Sequence, residues 1–194
     1  DEGEALLKKV LSYSKADECE VNLSGTNNGN IRYARNAVST SGGVSTTNLV
    51  VSSAFGKKLG VASINELDDA SLEKVVRRAE ELAQLAPENP EFVSFLGPQK
   101  YAASTTYVPA TAAITPKTRA DAVAQSLQVA KDAKLVAAGF LEDNNGFAAM
   151  MNSKGLFAYN TSTNVNFSVT MRTEDGKGSG YATRGYNDIN KLDT

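Results

Sequence analysis

The stretch INELDD at residues 64–69 returns at residues 189–194 as INKLDT. In the first copy it directly precedes a long run of apolar residues at helical spacing; in the second copy the sequence stops there. A phrase that recurs at an equivalent place is the mark of an internal repeat. The sequence therefore predicts a tandem duplication whose second copy lacks its closing helix, and hence a piece of a longer protein.

Ahead of this repeated phrase, the two copies can be aligned without gaps over about fifty positions. A shift of 116 pairs the following residues: Leu11 with Leu127, Lys15 with Lys131, Asn28 with Asn144, Asn36 with Asn152, Thr47 with Thr163, Asn48 with Asn164 and Ser52 with Ser168. Beyond them the shift becomes 125, which pairs Gly60 with Gly185. The difference of nine positions predicts an insertion in the last hairpin, around residues 174–181.

Hydrophobic periodicity predicts the elements of each copy. In the first copy we expect a helix over residues 4–14, strands over 20–24, 31–38, 47–55 and 59–64, and a second helix that Asp68 or Asp69 caps and Pro87 ends. Asn and Gly adopt positive φ at low cost, so Asn27–Asn30 and Asn145–Gly146 are predicted to be hairpin turns. After Pro116 the helical pattern restarts.

These patterns predict an α+β fold: two tandem helix–antiparallel strands–helix units that form a mixed α/β domain with a largely antiparallel sheet. The predicted boundaries are residues 1–90 for the first unit, 91–116 for a Pro/Ala/Thr-rich connection and 117–194 for the second, truncated unit. All five prolines lie between Pro87 and Pro116, which is why the connection is placed there.

Composition excludes several classes of function. The sequence has no histidine, so it cannot supply a Ser-His-Asp or Cys-His catalytic group or an ordinary catalytic zinc site. A net charge of −2 argues against nucleic-acid binding, which needs a basic surface. The sequence contains no run of about 18 apolar residues, which a membrane-spanning helix would need. The single cysteine, Cys19, fits a reducing compartment, so a cytoplasmic location is expected.

Three segments are candidates for chemistry. Residues 175–180 (DGKGSG) resemble a phosphate-binding loop, but strand-like residues follow them, so a lengthened hairpin loop is the better interpretation. Residues 142–146 (EDNNG) carry oxygen ligands but lack the glutamate that would complete a calcium loop, so a turn is again favoured.

The third segment, residues 31–36 (IRYARN), alternates apolar with cationic residues and ends in an amide. One face of such a strand could grip an extended peptide, so Arg32, Arg35 and Asn36 are the predicted peptide-binding residues. The alternative is an ordinary half-exposed strand.

The chain also resembles the N-terminal region of the TldD/PmbA family, known as modulators of DNA gyrase. The resemblance covers essentially the whole chain and is more specific in the first half. The residues that carry it are Ala16–Val21, Ile31–Asn36, Gly56–Ser63, Asn65–Asp68 and Ala83–Pro90, with looser matches at Thr118–Ala120 and Asn152–Gly155.

The resemblance implies a non-catalytic portion of a cytosolic zinc metallopeptidase that degrades unfolded or extended peptides, with this portion helping to form the peptide-binding chamber. It implies no cofactor in this segment and zinc in an absent C-terminal part, because no residue here matches the family's metal motif. The implied partners are a peptide substrate and a family member in a homo- or heterodimer, with no nucleic acid and no membrane. A PmbA-type (TldE-type) scaffold subunit without catalytic activity is the alternative, and a gyrase modulator is a weaker one.

Overall fold

A computed structural model of the protein describes residues 2–193. The α-helices are α1 (Glu2–Tyr13), α2 (Asp69–Leu85), α3 (Pro109–Ala112) and α4 (Pro116–Asp132). The strands are β1 (Glu18–Ala34), β2 (Ala37–Phe55), β3 (Lys58–Ile64), β4 (Leu135–Asn152), β5 (Phe157–Thr173) and β6 (Ser179–Tyr186), followed by a 3₁₀ turn at Ile189–Lys191.

The six strands form one open antiparallel sheet in the order β3-β2-β1-β4-β5-β6. The predicted class, α+β with a largely antiparallel sheet, is confirmed. No helix within residues 2–193 has both the length and the apolar character needed to cross a membrane.

The chain divides into two compact units, each built from three separate pieces. Unit 1 comprises the chain up to Gly25, Thr46–Ala103 and Phe147–Asn160; unit 2 comprises Thr26–Ser45, Ser104–Gly146 and the chain from Thr161 onward. The boundaries at residues 90 and 116 stay a prediction about where the sequence repeats.

In unit 1, α1 and α2 pack on one face of the sheet. The strand residues of this core alternate along the chain, as expected for one covered face. The core contains Leu7, Val10, Cys19, Val21, Leu23, Leu49, Val51, Leu72, Val75, Val76, Ala79, Ala149 and Met151. The predicted cap of α2 is Asp68, whose side chain accepts a hydrogen bond of 3.1 Å from the Ser71 backbone N–H. The Ser71 side chain and, after it, the Ser71 backbone N–H hold the pKa of Asp68 below its ordinary value.

In unit 2, α4 covers one face of the sheet. Thr115 and Thr118 cap this helix reciprocally, and Pro116 occupies its first turn. The core contains Ile31, Tyr33, Val123, Leu127, Ala130, Ala137, Leu141, Val165, Phe167 and Val169. The Tyr33 hydroxyl donates to the Ser168 carbonyl at 2.9 Å, and burial raises the pKa of Tyr33 to about 12.

The predicted turn at Asn27–Asn30 is wrong, because β1 runs unbroken from Glu18 to Ala34. Gly29 is instead a point of close approach: a Cβ there would lie 1.9 Å from the Arg119 guanidinium. The real turn is at Arg35 and Asn36, whose φ values are 52° and 59°. Two successive residues in the left-handed region are typical of a type I′ hairpin turn.

The predicted turn at Asn145–Gly146 is also wrong, since β4 continues to Asn152. The chain turns only after that point, where Gly155 has a φ of +86°. By contrast, the hairpin loop expected near residues 174–181 is confirmed: residues 174–178 join β5 and β6, which pair antiparallel from Arg172–Ser179 to Val165–Tyr186.

The proline-rich connection is held against unit 1 by the carboxylate of Glu18. One oxygen accepts a hydrogen bond from the Ser94 hydroxyl at 2.5 Å and forms an ion pair with the Lys154 ammonium at 3.0 Å. The other accepts from the Phe95 backbone N–H at 2.8 Å. Burial alone would raise the pKa of Glu18, but these three donors together lower it.

Replacing Glu18 by glutamine is expected to lower the free energy of unfolding by about 2 kcal/mol at pH 7, because charge-assisted hydrogen bonds are lost. A depressed pKa in the folded state contributes stability above the unfolded pKa and loses it as the pH falls. The difference between the wild type and Glu18→Gln should therefore shrink below about pH 4. Urea unfolding across pH measures this difference.

Glu91→Gln is the matched control, since Glu91 is exposed in the same segment. An equal effect of both substitutions, or a difference that stays constant down to pH 2, would contradict this assignment.

Candidate functional site

Unit 2 has a face that α4 does not cover. Where β1, β4 and β5 belong to unit 2, their buried residues are all odd-numbered, and their even-numbered residues are exposed or half-buried. The even-numbered residues of unit 2 that we call the open face are Asn28, Asn30, Arg32, Phe140, Glu142, Asn144, Asn164 and Asn166.

Arg32 provides the positive charge of the open face. Its guanidinium lies 5.5 Å above the centre of the Phe140 ring, a cation–π arrangement that orients the group without neutralising it. Within residues 2–193 no acidic side chain forms an ion pair with Arg32. The charge is therefore held in place and available to a ligand.

Side-chain amides provide most of the remaining polar groups. Asn144 donates to Asn28 at 2.5 Å, so the two residues that the repeat aligns are in contact. Asn166 donates to Asn164 at 2.8 Å and to Glu142 at 3.3 Å. An amide offers two donors and one two-lone-pair acceptor, so these contacts leave capacity for a ligand. Such groups match the N–H and C=O groups of an extended peptide.

The other two predicted site residues lie at the hairpin turn. Arg35 is exposed. Asn36 is engaged with the start of β4: its amide donates to the Leu135 carbonyl at 2.8 Å and accepts from the Ala137 N–H at 2.6 Å. The structure thus places Arg32 on the open face and uses the Asn36 amide to fix the turn. A role of the three residues in peptide binding stays a prediction.

The open-face residues on β4 and β5 were missed by the sequence analysis. Residues 144 and 145 were interpreted as part of turns, which hid the alternation of Phe140, Glu142 and Asn144 along one strand. The signal that could have found them is the recurrence of asparagine at every second position, as at Asn164 and Asn166.

Unit 1 contains a separate groove of about 800 Å³ beside α1. It is mainly apolar, with Leu6, Leu23, Phe147 and Phe157 among its lining residues. At its acidic end Glu4 is paired with Lys8 at 2.7 Å. Grooves of this composition accept apolar side chains.

The residues present do not fit a zinc ion. The sequence supplies no histidine, and within residues 2–193 no three His, Cys, Asp or Glu side chains group as metal ligands. The buried carboxylate Asp143 is instead paired with Arg119 at 2.6 Å. No step of metal chemistry is assigned to this chain.

Three solved structures share the fold across nearly the whole chain. They are TldE from Thermococcus kodakarensis (17% identity, TM-score 0.85) and candidate modulators of DNA gyrase from Thermotoga maritima (17%, 0.86) and Bacteroides thetaiotaomicron (18%, 0.83). These matches cover 98–99% of this chain but only 44–46% of theirs. The chain thus spans less than half the length of the structures that it matches.

The sequence also matches two family models. Residues 19–83 match the PmbA/TldA metallopeptidase domain 1, and residues 112–193 match the central domain of the same family. No curated protein matches the chain at a significant level. The two domain matches occur in order along the sequence and together cover most of it, so this chain belongs to the PmbA/TldD family.

Proposed function

We propose that this chain is the non-catalytic, peptide-binding portion of a PmbA/TldD-type metallopeptidase that degrades unfolded or extended peptides. The observation that carries the proposal is the open face within a chain of this family: an oriented Arg32, with no ion-pair partner among residues 2–193, beside a row of amides. In this proposal the open face forms part of the wall of the peptide-binding chamber.

The peptide backbone would lie along the open face. Arg32 would donate to peptide carbonyl or carboxylate oxygens, and the amides of Asn144 and Asn166 would exchange hydrogen bonds with backbone groups. Because amides both donate and accept, they would hold a backbone with little regard to its side chains. This property suits a protein that handles peptides of many sequences.

The zinc ion and the general base of the proposed activity belong outside these 194 residues. In metallopeptidases zinc supplies an activated water for attack on the amide bond. The proposed roles of this chain are to bind the peptide and to orient it. The proposed setting is a cytoplasmic homo- or heterodimer with a second family member.

The second candidate is a PmbA-type scaffold subunit that binds a catalytic partner and has no zinc of its own. The likeness to TldE favours it. A His-Glu metal motif in the full-length protein would identify it as the catalytic type. Absence of that motif would identify it as the scaffold type. The gyrase-modulator alternative is the weaker one, because a net charge of −2 does not favour DNA.

The proposal is tested by the affinity of the 194-residue chain for a fluorescent, unstructured peptide. Arg32→Ala is expected to weaken binding about tenfold, because one charge-assisted contact is worth about 1.5 kcal/mol. Fluorescence anisotropy measures the dissociation constants. Arg78→Ala is the control, since Arg78 is exposed on α2, where it pairs with Glu81.

Equal affinity of Arg32→Ala and the wild type would contradict the assignment of the open face. Zinc-dependent cleavage of the peptide by the 194-residue chain alone would contradict its non-catalytic role.

A further inference from the structure

Charge is distributed unevenly between the two units. Unit 1 carries fourteen acidic and ten basic residues, whereas unit 2 carries eight acidic and ten basic residues. Unit 2 is therefore positively charged within a chain whose net charge is −2. A ligand responds to the local field of the surface that it meets, so unit 2 attracts anionic groups although the chain as a whole is acidic.

A second arginine lies on the same side of the sheet as the open face. Met171 packs against the core of unit 2, so the next residue of β5, Arg172, is directed to the other side, where it is exposed. Four residues earlier, the Ser168 hydroxyl donates to the Phe140 carbonyl at 3.4 Å, which places Ser168 beside the ring that Arg32 covers. Within residues 2–193 no acidic side chain forms an ion pair with Arg172.

The sheet sets the spacing of the two arginines. β4 lies between β1 and β5, and Arg172 is four residues further along than the level of Arg32. Strands advance about 3.4 Å per residue and lie about 4.8 Å apart, so the two Cα atoms are about 17 Å apart. An extended segment of about five residues spans this distance. The spacing therefore suits two acidic side chains of one extended segment, each meeting one arginine.

Two further cations lie at the same end of unit 2. Arg35 occupies the β1–β2 turn, and the Asn36 amide ties that turn to the start of β4, which Lys134 directly precedes. Arg35 and Lys134 are exposed, and neither pairs with an acidic side chain within residues 2–193. Of the two acidic residues in the loop after β5, Asp175 already pairs with Lys177 at 3.9 Å. The positive charge at this end is thus largely uncompensated.

The remaining groups of the open face favour a peptide over a nucleic acid. Glu142 lies on this face and accepts a hydrogen bond from the Asn166 amide at 3.3 Å. A nucleic-acid strand carries a negative charge at every phosphate and would bring one of them against this carboxylate. A peptide can place an uncharged residue there and acidic residues elsewhere, and its backbone matches the amides of Asn28 and Asn144.

We propose that the open face selects acidic peptides, with Arg32 and Arg172 contacting acidic side chains of one extended segment. The amides hold any peptide backbone, so the selection comes from the two arginines. This inference rests on the proposed function, whose substrate class it narrows from unstructured peptides in general to acidic ones.

The test compares three fluorescent, capped, unstructured peptides that differ only in carrying glutamate, glutamine or lysine at the same positions. Fluorescence anisotropy with the 194-residue chain gives their dissociation constants. At low salt the glutamate peptide should bind about tenfold more tightly than the glutamine peptide, since each of two exposed charge pairs contributes about threefold. The lysine peptide should bind most weakly. The ratio should approach one as the salt concentration rises to about 0.5 M, because salt screens exposed charges.

Two matched variants assign the selection to a face of the sheet. Arg172→Ala should reduce the tenfold ratio between the glutamate and glutamine peptides to about threefold. Arg184→Ala removes the same charge from unit 2, but Arg184 pairs across the strands with the core residue Phe167 and is therefore on the other side of the sheet. Its ratio should stay at about tenfold.

Saturable binding of the glutamate and glutamine peptides with equal affinity would overturn this inference and leave the proposed function standing. Absence of binding by all three peptides would overturn both. An equal fall of the ratio in Arg172→Ala and Arg184→Ala would also overturn the inference, because the total charge of unit 2 would then make the selection. Tighter binding of a single-stranded oligothymidylate than of the glutamate peptide at the same salt concentration would overturn the assigned occupant.

Discussion

Replacing Gly60 by alanine is expected to destabilise the protein by about 3 kcal/mol, because α2 lies directly on β3 at this residue. A Cβ at position 60 would lie 2.2 Å from both the Ala79 carbonyl oxygen and the Ala83 nitrogen. Both atoms belong to the helix backbone, so relief requires moving α2 away from β3, which would loosen the core that α2 shares with Leu49 and Val51. Urea unfolding monitored by circular dichroism gives the change in free energy of unfolding.

Gly42→Ala is the matched control, since Gly42 also lies in a strand but a Cβ there would have no neighbour within 4 Å. We expect this substitution to change stability by no more than about 0.5 kcal/mol. Similar small effects at both positions would show that α2 does not pack on β3 as closely as described.

Replacing Asp143 by alanine is expected to cost about 4 kcal/mol, because it leaves the buried Arg119 without a counter-charge. The two side chains are 10% and 7% exposed and join at 2.6 Å, so solvent cannot compensate for the loss. The Arg119 guanidinium also lies close to the backbone of Gly29. Equilibrium unfolding in urea measures the cost.

The double variant Arg119→Met with Asp143→Leu should recover most of the loss, because it removes both charges together. Asp121→Ala is the control: Asp121 pairs with Lys117 in the first turns of the same helix, but both side chains are largely exposed. Replacing Asp121 should not change the free energy of unfolding measurably. A double variant as unstable as Asp143→Ala would contradict the account of the pair.

The helices were predictable because their signals are local. The apolar stripe beginning at Leu72 and the cap at Asp68 lie within a few residues of each other, and the structure places α2 where they indicate. The same holds for Pro116 at the start of α4. Capping and helical spacing depend only on neighbours along the chain, so the sequence displays them directly.

The turns were not predictable from asparagine and glycine alone. Gly29 is needed because Arg119, ninety positions away along the sequence, packs against its backbone. A glycine that accommodates a distant side chain looks the same in sequence as one that permits a turn. In the same way, Arg119 belongs to a helix whose other charges are exposed, and nothing local marks it as buried.

One residue of the open face, Arg32, was predictable from the sequence. Arg32 was selected because it alternates with apolar residues along one strand, and the structure places it on the open face. Phe140 lies on β4, which pairs with β1, and Asn166 lies on β5, which pairs with β4. No short sequence pattern encodes either pairing. Strand register depends on contacts between distant segments, so it emerges only from the folded structure.

The most direct test of the account is a nuclear magnetic resonance titration of the isotope-labelled 194-residue chain with an unstructured peptide. If the open face binds the peptide, the side-chain signals of Arg32, Asn144 and Asn166 shift together and saturate with one dissociation constant. Signals that stay fixed on these three side chains while the groove residues Leu6 and Leu23 shift would contradict peptide binding at the open face. So would a spectrum unchanged by saturating peptide.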